Sequence, residues 1–469
     1  MAAKVLGLGM LILGLSFGGA QAAPDPVERA DAIVRRAMAE QHIPGLQIAV
    51  VKEGQIVMSH AYGVADLAKG TPVTSATRFP INSITKAFTG VAAMREVEAG
   101  RLDLAAPIGT YVGGLPESWR SIPVRRLLSH NSGLPDFDDS DGDGTAAWTA
   151  TLAKPIRFQP GERFEYNQTN YALVQIAING LRGRPREATV ADEQFALAGM
   201  SHSGFGDTRD VDPGRVVSYG YRKAQPDQPT VRTEIFSPLH RAAAGMVSTA
   251  DDMARWLIAL RGEALLKSST KAMMWTPVAN NDGKPGQWGM GWLVLERSGR
   301  RAVAMTGGSR SAVYLYPDDK VGVVILTNLA GSTPEDLIDE IAQGFIPGMT
   351  LTGVPALRAA LNGQEGLDPA ATITRFRAAN PDFAADEHEL NDWGYRLLAF
   401  GKPRSALAVL KLTADLNPTS ANAFDSLGEA YAVNGARASA IAAYDKSLAL
   451  DPANKNAAQW LEKLKKPPR

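Results

Sequence analysis

The chain contains no cysteine. That excludes disulfides, a thiol nucleophile, a thiolate metal centre and a lipid-modified cysteine, and it leaves export to an oxidising compartment unopposed. There is no net charge either, because Lys and Arg together number 49 and Asp and Glu also number 49. No overall field draws the chain to nucleic acid or to an anionic membrane, and neither is expected as a partner. The six histidines, His42, His60, His130, His202, His240 and His388, show no ligand spacing, so no metal is expected and each is read as structural or exposed. Glycine is plentiful at 45 residues, yet none falls in a phosphate loop or dinucleotide fingerprint, and no cofactor is implied.

Long apolar runs are also scarce, with one exception at the start. Lys4 is the only charge before Asp25, the run Val5–Phe17 follows it, and Ala20-Gln21-Ala22 has the small-x-small form of a cleavage site. Residues 1–22 are therefore expected to be a signal peptide, with a periplasmic or secreted mature chain. The run is too short to span a bilayer comfortably, so no membrane anchor is expected after cleavage. The remaining composition, 45% hydrophobic and 21% charged, is that of a globular protein, and 469 residues suffice for two or three domains.

Apolar positions at helical spacing predict a helix over Pro26–Gln41, and alternating runs around Lys52-Glu53-Gly54 predict a β-hairpin of Gly45–Val51 and Gln55–Tyr62. The stretch Phe79–Gly90 then contains Ser83-x-x-Lys86 at the start of a helix that ends at Gly100. A serine there lies in the positive end of the helix dipole, beside free backbone N–H groups. Lys86 follows one turn later on the same face, where an amine activates a hydroxyl that is otherwise a weak nucleophile. Downstream come Gly100-x-Leu102-x-Leu104 and Leu127-Leu128-Ser129-His130-x-Ser132-Gly133-Leu134-Pro135.

This series of motifs resembles the β-lactamase-related serine hydrolases, a group that includes class C β-lactamases, DD-peptidases and esterases. The resemblance covers roughly residues 26–345. It implies an α+β fold, an antiparallel sheet flanked by helices with an inserted helical subdomain, over residues 23–350. It also implies that Tyr166, after Pro160-Gly161, is the tyrosine of a Tyr-x-Asn motif beside Ser83 and Lys86, with Gln168 in place of the Asn. A phenol next to an ammonium is expected to shift toward phenolate and to carry the serine proton. The third motif, His/Lys-Thr-Gly, is matched by Met305-Thr306-Gly307-Gly308, without the cation. The N–H groups of Ser83 and Gly308 would form the oxyanion hole, and Thr306 and Gly307 would line the substrate site. Arg310, Arg300 and Arg301 are available to replace the missing charge, although surface solvation is their expected role. The lost cation favours uncharged esters or amides over anionic β-lactams. His130 and Ser132 are read as a loop brace. Residues Arg182–Pro238 are read as loops and short helices. Ser248 or Thr249 is expected to cap the next helix.

Two segments fall outside those motifs. Counted from Asp139, carboxylates stand at positions one, three and five with Gly144 at six, as in the start of an EF-hand loop. Position twelve is Ala150 instead of Glu, so the stretch is read as a solvated acidic loop. Beyond Pro355 the composition turns to Ala, Leu and charge, and Trp393-Gly394, Leu397, Ala406, Leu410 and Pro418 recur 34 positions later as Leu427-Gly428, Tyr431, Ala440, Tyr444 and Pro452. This resembles tetratricopeptide repeats over 387–469, after a linker or degenerate helix pair at 351–386. A short array is expected to lean on the preceding domain, and its concave face offers a site for a protein partner.

The expected activity is an acyl-enzyme serine hydrolase, with Ser83, Lys86 and Tyr166 catalytic and a small-molecule or peptide acyl substrate. Esterase or amidase action ranks first, then DD-peptidase, then weak β-lactamase. The alternative is a catalytically weakened penicillin-recognising fold that acts as a binding or scaffold protein through its helical repeats.

Overall fold

The computed structural model describes residues 25–137, 144–210, 212–222, 225–362 and 367–466. The leader-like segment 1–22 and residues 138–143, with most of the acidic EF-hand-like stretch, lie outside the described residues. Among the described residues the main sheet has seven strands: β1 (Gly45–Lys52), β2 (Gln55–Asp66), β3 (Thr71–Pro72), β4 (Leu293–Arg297), β5 (Arg300–Gly307), β6 (Ser311–Tyr316) and β7 (Val321–Thr327). Their order is β3-β2-β1-β7-β6-β5-β4, and every pairing is antiparallel. The first and last strands thus meet at the centre, with Leu46 opposite Thr327 and Val51 opposite Gly322.

Both faces of this sheet are covered, which is why the central strands read as continuous apolar runs. Side chains alternate between two cores at the period of two that a strand imposes. Leu46, Ile48 and Val50 of β1, with Val323 and Ile325 of β7, face the helices Pro26–Gln41 and Ile338–Phe345. Ala49 and Val51, with Met305, Val324 and Leu326, face the other way, toward the helices Thr85–Glu98 and Ala250–Arg261. The second of those helices is capped by Thr249, whose hydroxyl accepts from the Asp252 N–H. The α+β architecture expected from the motifs is the one found.

Two local expectations need correction. Apolar runs in the sequence predict strands over 289–296, 301–309 and 321–327, with none between the last two. The chain instead leaves β5 at Gly307 and reverses immediately, with Ser309 at φ 51°, so that Gly307 pairs with Ser311. The region 182–238 is not all loops and short helices. It contains a hairpin of Tyr219–Arg222 and Gln225–Val231, whose first strand pairs in parallel with Leu329–Ala330. Proline and polar residues in that hairpin leave little of the apolar alternation by which a strand is recognised.

The C-terminal region is all helical, with helices Gly353–Asn362, Pro369–Ala379, Glu387–Ala399, Pro403–Leu416, Ala421–Val433, Arg437–Leu450 and Lys455–Lys465. Four of them begin with a capping side chain, and three of those caps, Asp386, Ser420 and Asn454, again fall at the 34-residue spacing. The helices cross closely where that spacing places glycine: a Cβ on Gly394 would lie 2.5 Å from Leu410, and one on Gly428 2.8 Å from the Tyr444 ring. The region docks on the sheet-containing half through charged contacts. Arg396 reaches Asp336 at 2.6 Å, Lys402 reaches Glu40 at 2.6 Å and Arg297 reaches Glu389 at 3.2 Å. Among the described residues no helix is long and apolar enough to cross a membrane.

A methyl group at Gly428 has nowhere to go without moving the buried Tyr444 ring. Gly428→Ala is expected to cost about 1–3 kcal/mol of stability, read as an earlier helical transition in a urea melt. A transition unchanged from wild type would show that this crossing is looser than described.

Candidate active site

Ser83 sits on a single 3-10 turn, Asn82–Ile84, immediately before the helix Thr85–Glu98. Asn82 has φ 44°, a left-handed conformation that asparagine tolerates better than most residues and that typically concentrates at functional sites. Lys86 lies in the first turn of the helix and is completely buried. Its Nζ donates to Gln168 Oε1 at 2.8 Å and to the Ala243 carbonyl at 2.9 Å, and it stands 3.4 Å from Ser83 Oγ. The same atom is 4.7 Å from the centre of the Tyr166 ring and 5.5 Å from that of Tyr171.

Removing the ammonium from water pulls its pKa down to about 7, a drop only partly opposed by the Asp136 carboxylate. A neutral amine has two N–H donors and one lone pair. Gln168 and Ala243 take the two donors, so the lone pair is left for the Ser83 hydroxyl proton. Tyr166 shares a hydrogen bond with Ser83, but burial pushes its phenol up, and the field of Asp136 adds to that. The expected shift toward phenolate is therefore not found. With the amine itself dehydrated and only about half protonated near pH 7, little ammonium charge is left to stabilise a phenolate, and burial keeps Tyr166 a neutral phenol beside the serine.

The segment bearing Tyr166 is held by the loop His130–Asp136. The His130 carbonyl accepts from Glu165 N at 2.8 Å, and its Nδ1 accepts from Asn167 N at 3.3 Å. Asn167 donates to the Leu134 carbonyl at 3.0 Å, Ser132 to Asn170 at 2.6 Å and Thr169 to the Pro135 carbonyl at 2.7 Å. His130 and Ser132 do brace this loop, and His130 does more. Its ring lies 4.2 Å from that of Tyr166, and burial, with Lys86 nearby, keeps the imidazole well below its ordinary pKa and uncharged. Trp288 packs beside Tyr166 at 5.7 Å, and the exposed ring of Phe164 stacks on Trp288.

The third side of the site is the end of β5. Gly307 touches the Ser83 turn so closely that a Cβ would lie 2.0 Å from the Ile81 carbonyl oxygen and 3.1 Å from Ser83 N. Gly308 faces Asn82 in the same way. Thr306, paired with Ala312, is half-buried on this strand end. Met305 is buried in the apolar core on the helix side of the sheet, so the position of the missing cation is filled by a thioether. None of the three arginines replaces it. Arg310 is not a surface residue: it is fully buried, held by Glu234 at 2.6 Å and Ser218 at 2.9 Å. Arg300 and Arg301 stand at the far end of β5, the first of them paired with Asp319.

Sequence motifs do not reveal Asp136. Its Oδ1 accepts from Gln168 N at 2.6 Å, which places a carboxylate at the entrance to the residues around Lys86. Proximity to Leu134-Pro135 was the only cue, and nothing in that spacing shows the chain folding back onto residue 168. The Ala243 carbonyl was equally invisible, because backbone groups carry no side-chain signature. Among the described residues no cluster of three His, Asp or Glu side chains is placed to hold a metal ion.

Fold and site together define a β-lactamase-like serine-hydrolase scaffold. The family described as Beta-lactamase matches residues 30–345, and the chain belongs to that family. It is 24% identical over 338 residues to Protein flp of Staphylococcus aureus (strain COL), an alignment that takes in 68% of this chain and 66% of that protein. The chain thus spans just under two thirds of the length of that relative. Among solved structures, the octameric penicillin-binding protein homologue from Pyrococcus abyssi shares the fold with a TM-score of 0.61 at 24% identity, over 72% of this chain and 82% of that one. EstCE1, a hydrolase with promiscuous acyltransferase activity, does so with a TM-score of 0.58 at 22% identity, over 68% and 98% of the two chains.

Gly307→Ala would force β5 away from the Ser83 turn. Because a displacement of about 1 Å at a reacting centre can cost about 100-fold in rate, this variant is expected to lose two orders of magnitude in acylation while its sheet still folds. Stopped-time acylation measured by intact-mass spectrometry checks it, and a wild-type rate would mean that the strand end does not shape the site.

Proposed function

We propose that the protein is a serine hydrolase that works through an acyl-enzyme on uncharged esters or amides. The observation that carries this reading is the convergence of Ser83, Tyr166 and Gln168 on a buried Lys86 whose pKa is pulled down to about 7. In the proposed cycle neutral Lys86 takes the Ser83 proton as Oγ bonds to the substrate carbonyl carbon. The N–H groups of Ser83 and Gly308 receive the developing oxyanion. As the intermediate collapses, the proton passes from the Lys86 ammonium by way of the Tyr166 phenol to the leaving alcohol or amine. Water then attacks the acyl group, its proton taken along the same path in reverse, and Ser83 is released. Gln168 and Thr306 orient the substrate.

Met305, where the family pattern has His or Lys, supports uncharged substrates over anionic β-lactams. DD-peptidase and weak β-lactamase action rank below esterase or amidase action. We also read the chain as exported, on the leader-like segment 1–22, and the C-terminal helices as tetratricopeptide-like repeats that lean on the catalytic half and present a face to a protein partner.

A fluorophosphonate probe is expected to label wild type and not Ser83→Ala, as seen by intact-mass spectrometry. Labelling of neither protein would favour a binding role for the scaffold. The acylation rate with a neutral ester should follow the free amine of Lys86: its pKa is depressed, so the base is present above about pH 7, and the rate falls tenfold per pH unit below it. Because Tyr166 is shifted upward, no second limb is expected up to pH 10. A midpoint near the ordinary lysine value would contradict the proposed base.

A further inference from the structure

We infer that Asp136 sets the charge preference of this site, turning it toward substrates that carry a positive group or none and away from substrates that carry a carboxylate. The inference rests on the reading of Ser83 as the nucleophile and adds the charge of the substrate to it.

The carboxylate is placed by two backbone donors, Gln168 N at 2.6 Å and Phe137 N at 3.0 Å, while the residue stays exposed. The side chain of that same Gln168 is bonded to Lys86 at 2.8 Å, so only the span of one residue separates the carboxylate from the reacting amine. Its field is felt by both Lys86 and Tyr166. Cations on the segments around the site are already engaged. Arg157 pairs with Glu165 at 2.9 Å, Arg241 lies 3.8 Å from Asp207 and Arg310 is held by Glu234. The strand position that would face a substrate carboxylate is Met305, buried and uncharged. Above pH 7, where Lys86 is mostly neutral, and with Tyr166 and His130 uncharged, the charge that acts on Lys86 and Tyr166 is the negative one of Asp136.

The aromatic wall points the same way. Phe164 is 46% exposed and stacks on Trp288, which packs against Tyr166. Exposed ring faces of this kind attract a cation and give an anion nothing. A carboxylate-bearing substrate therefore meets repulsion without a compensating partner, whereas an ammonium finds both a counter-charge and a ring surface.

The test uses the full-length protein and three isosteric activated aryl esters whose acyl chains end in trimethylammonium, tert-butyl or carboxylate. Ser83 acylation is followed by intact-mass spectrometry. For wild type the cationic ester is expected to outrun the anionic one by about tenfold or more at low salt, and the ratio should shrink in high salt. Asp136→Asn, which keeps an acceptor for Gln168 N, should bring that ratio close to one, and Asp136→Glu should retain it even if its absolute rates fall. A structural role alone would lower all three rates together and leave the ratio in place. A wild-type ratio near one, or a ratio unchanged in Asp136→Asn, overturns the inference while the neutral ester still validates the nucleophile. If none of the three esters acylates wild type, the reading of Ser83 fails and this inference falls with it.

Discussion

The site depends on one act of desolvation. Lys86 is an amine with no access to water, placed where its donors meet one side-chain carbonyl and one backbone carbonyl and its remaining lone pair meets a hydroxyl. Burying an ammonium is costly, and the protein avoids much of that cost by letting the proton go near neutral pH. The surrounding fold exists to keep that arrangement dry and in register. The helix that carries Lys86 is anchored by Thr89 to the Ala242 carbonyl, next to the carbonyl that receives the amine itself.

The same constraint explains why the neighbouring aromatic groups are neutral. Tyr166, Tyr171 and His130 stack around the amine, and each is pushed toward its uncharged form chiefly by burial. A site built from neutral groups in a low-dielectric setting moves protons over short distances without separating charge far from solvent. Specificity is then left to whatever charge stands at the entrance, because nothing deeper in the site carries one permanently.

Much of this was legible from residue order alone. Ser83 and Lys86 share a helix start, so local spacing placed those two together, whereas Tyr166, Thr306 and Gly307 were placed beside them only by the resemblance of separated motifs to a known family. The sheet was legible where strands alternate or run apolar between clear turns, and illegible at β6, where a three-residue reversal after Gly307 hides a strand boundary. Roles set by burial were harder to read. Arg310 looks like a surface cation in the chain and is buried and ion-paired in the fold, because its partner Glu234 is brought in from 76 residues away. Tyr166 looks like a phenolate in the chain for the same reason: its protonation follows from the dryness of the fold, which no spacing encodes.

The junction between the two halves has a consequence for how the molecule must be handled as a whole. Asp336 belongs to the sheet-containing half, is nearly enclosed, and is neutralised by Arg358 at 3.1 Å and Arg396 at 2.6 Å, both from the helical region. Severing the chain near residue 350 would strip that carboxylate of both guanidinium groups at once and leave it beside the Glu335 carboxylate, which loses Arg396 as well. The helical tail is thus a counter-ion reservoir for its neighbour, and excising the hydrolase as a minimal unit would create an electrostatic defect that the intact polypeptide never has.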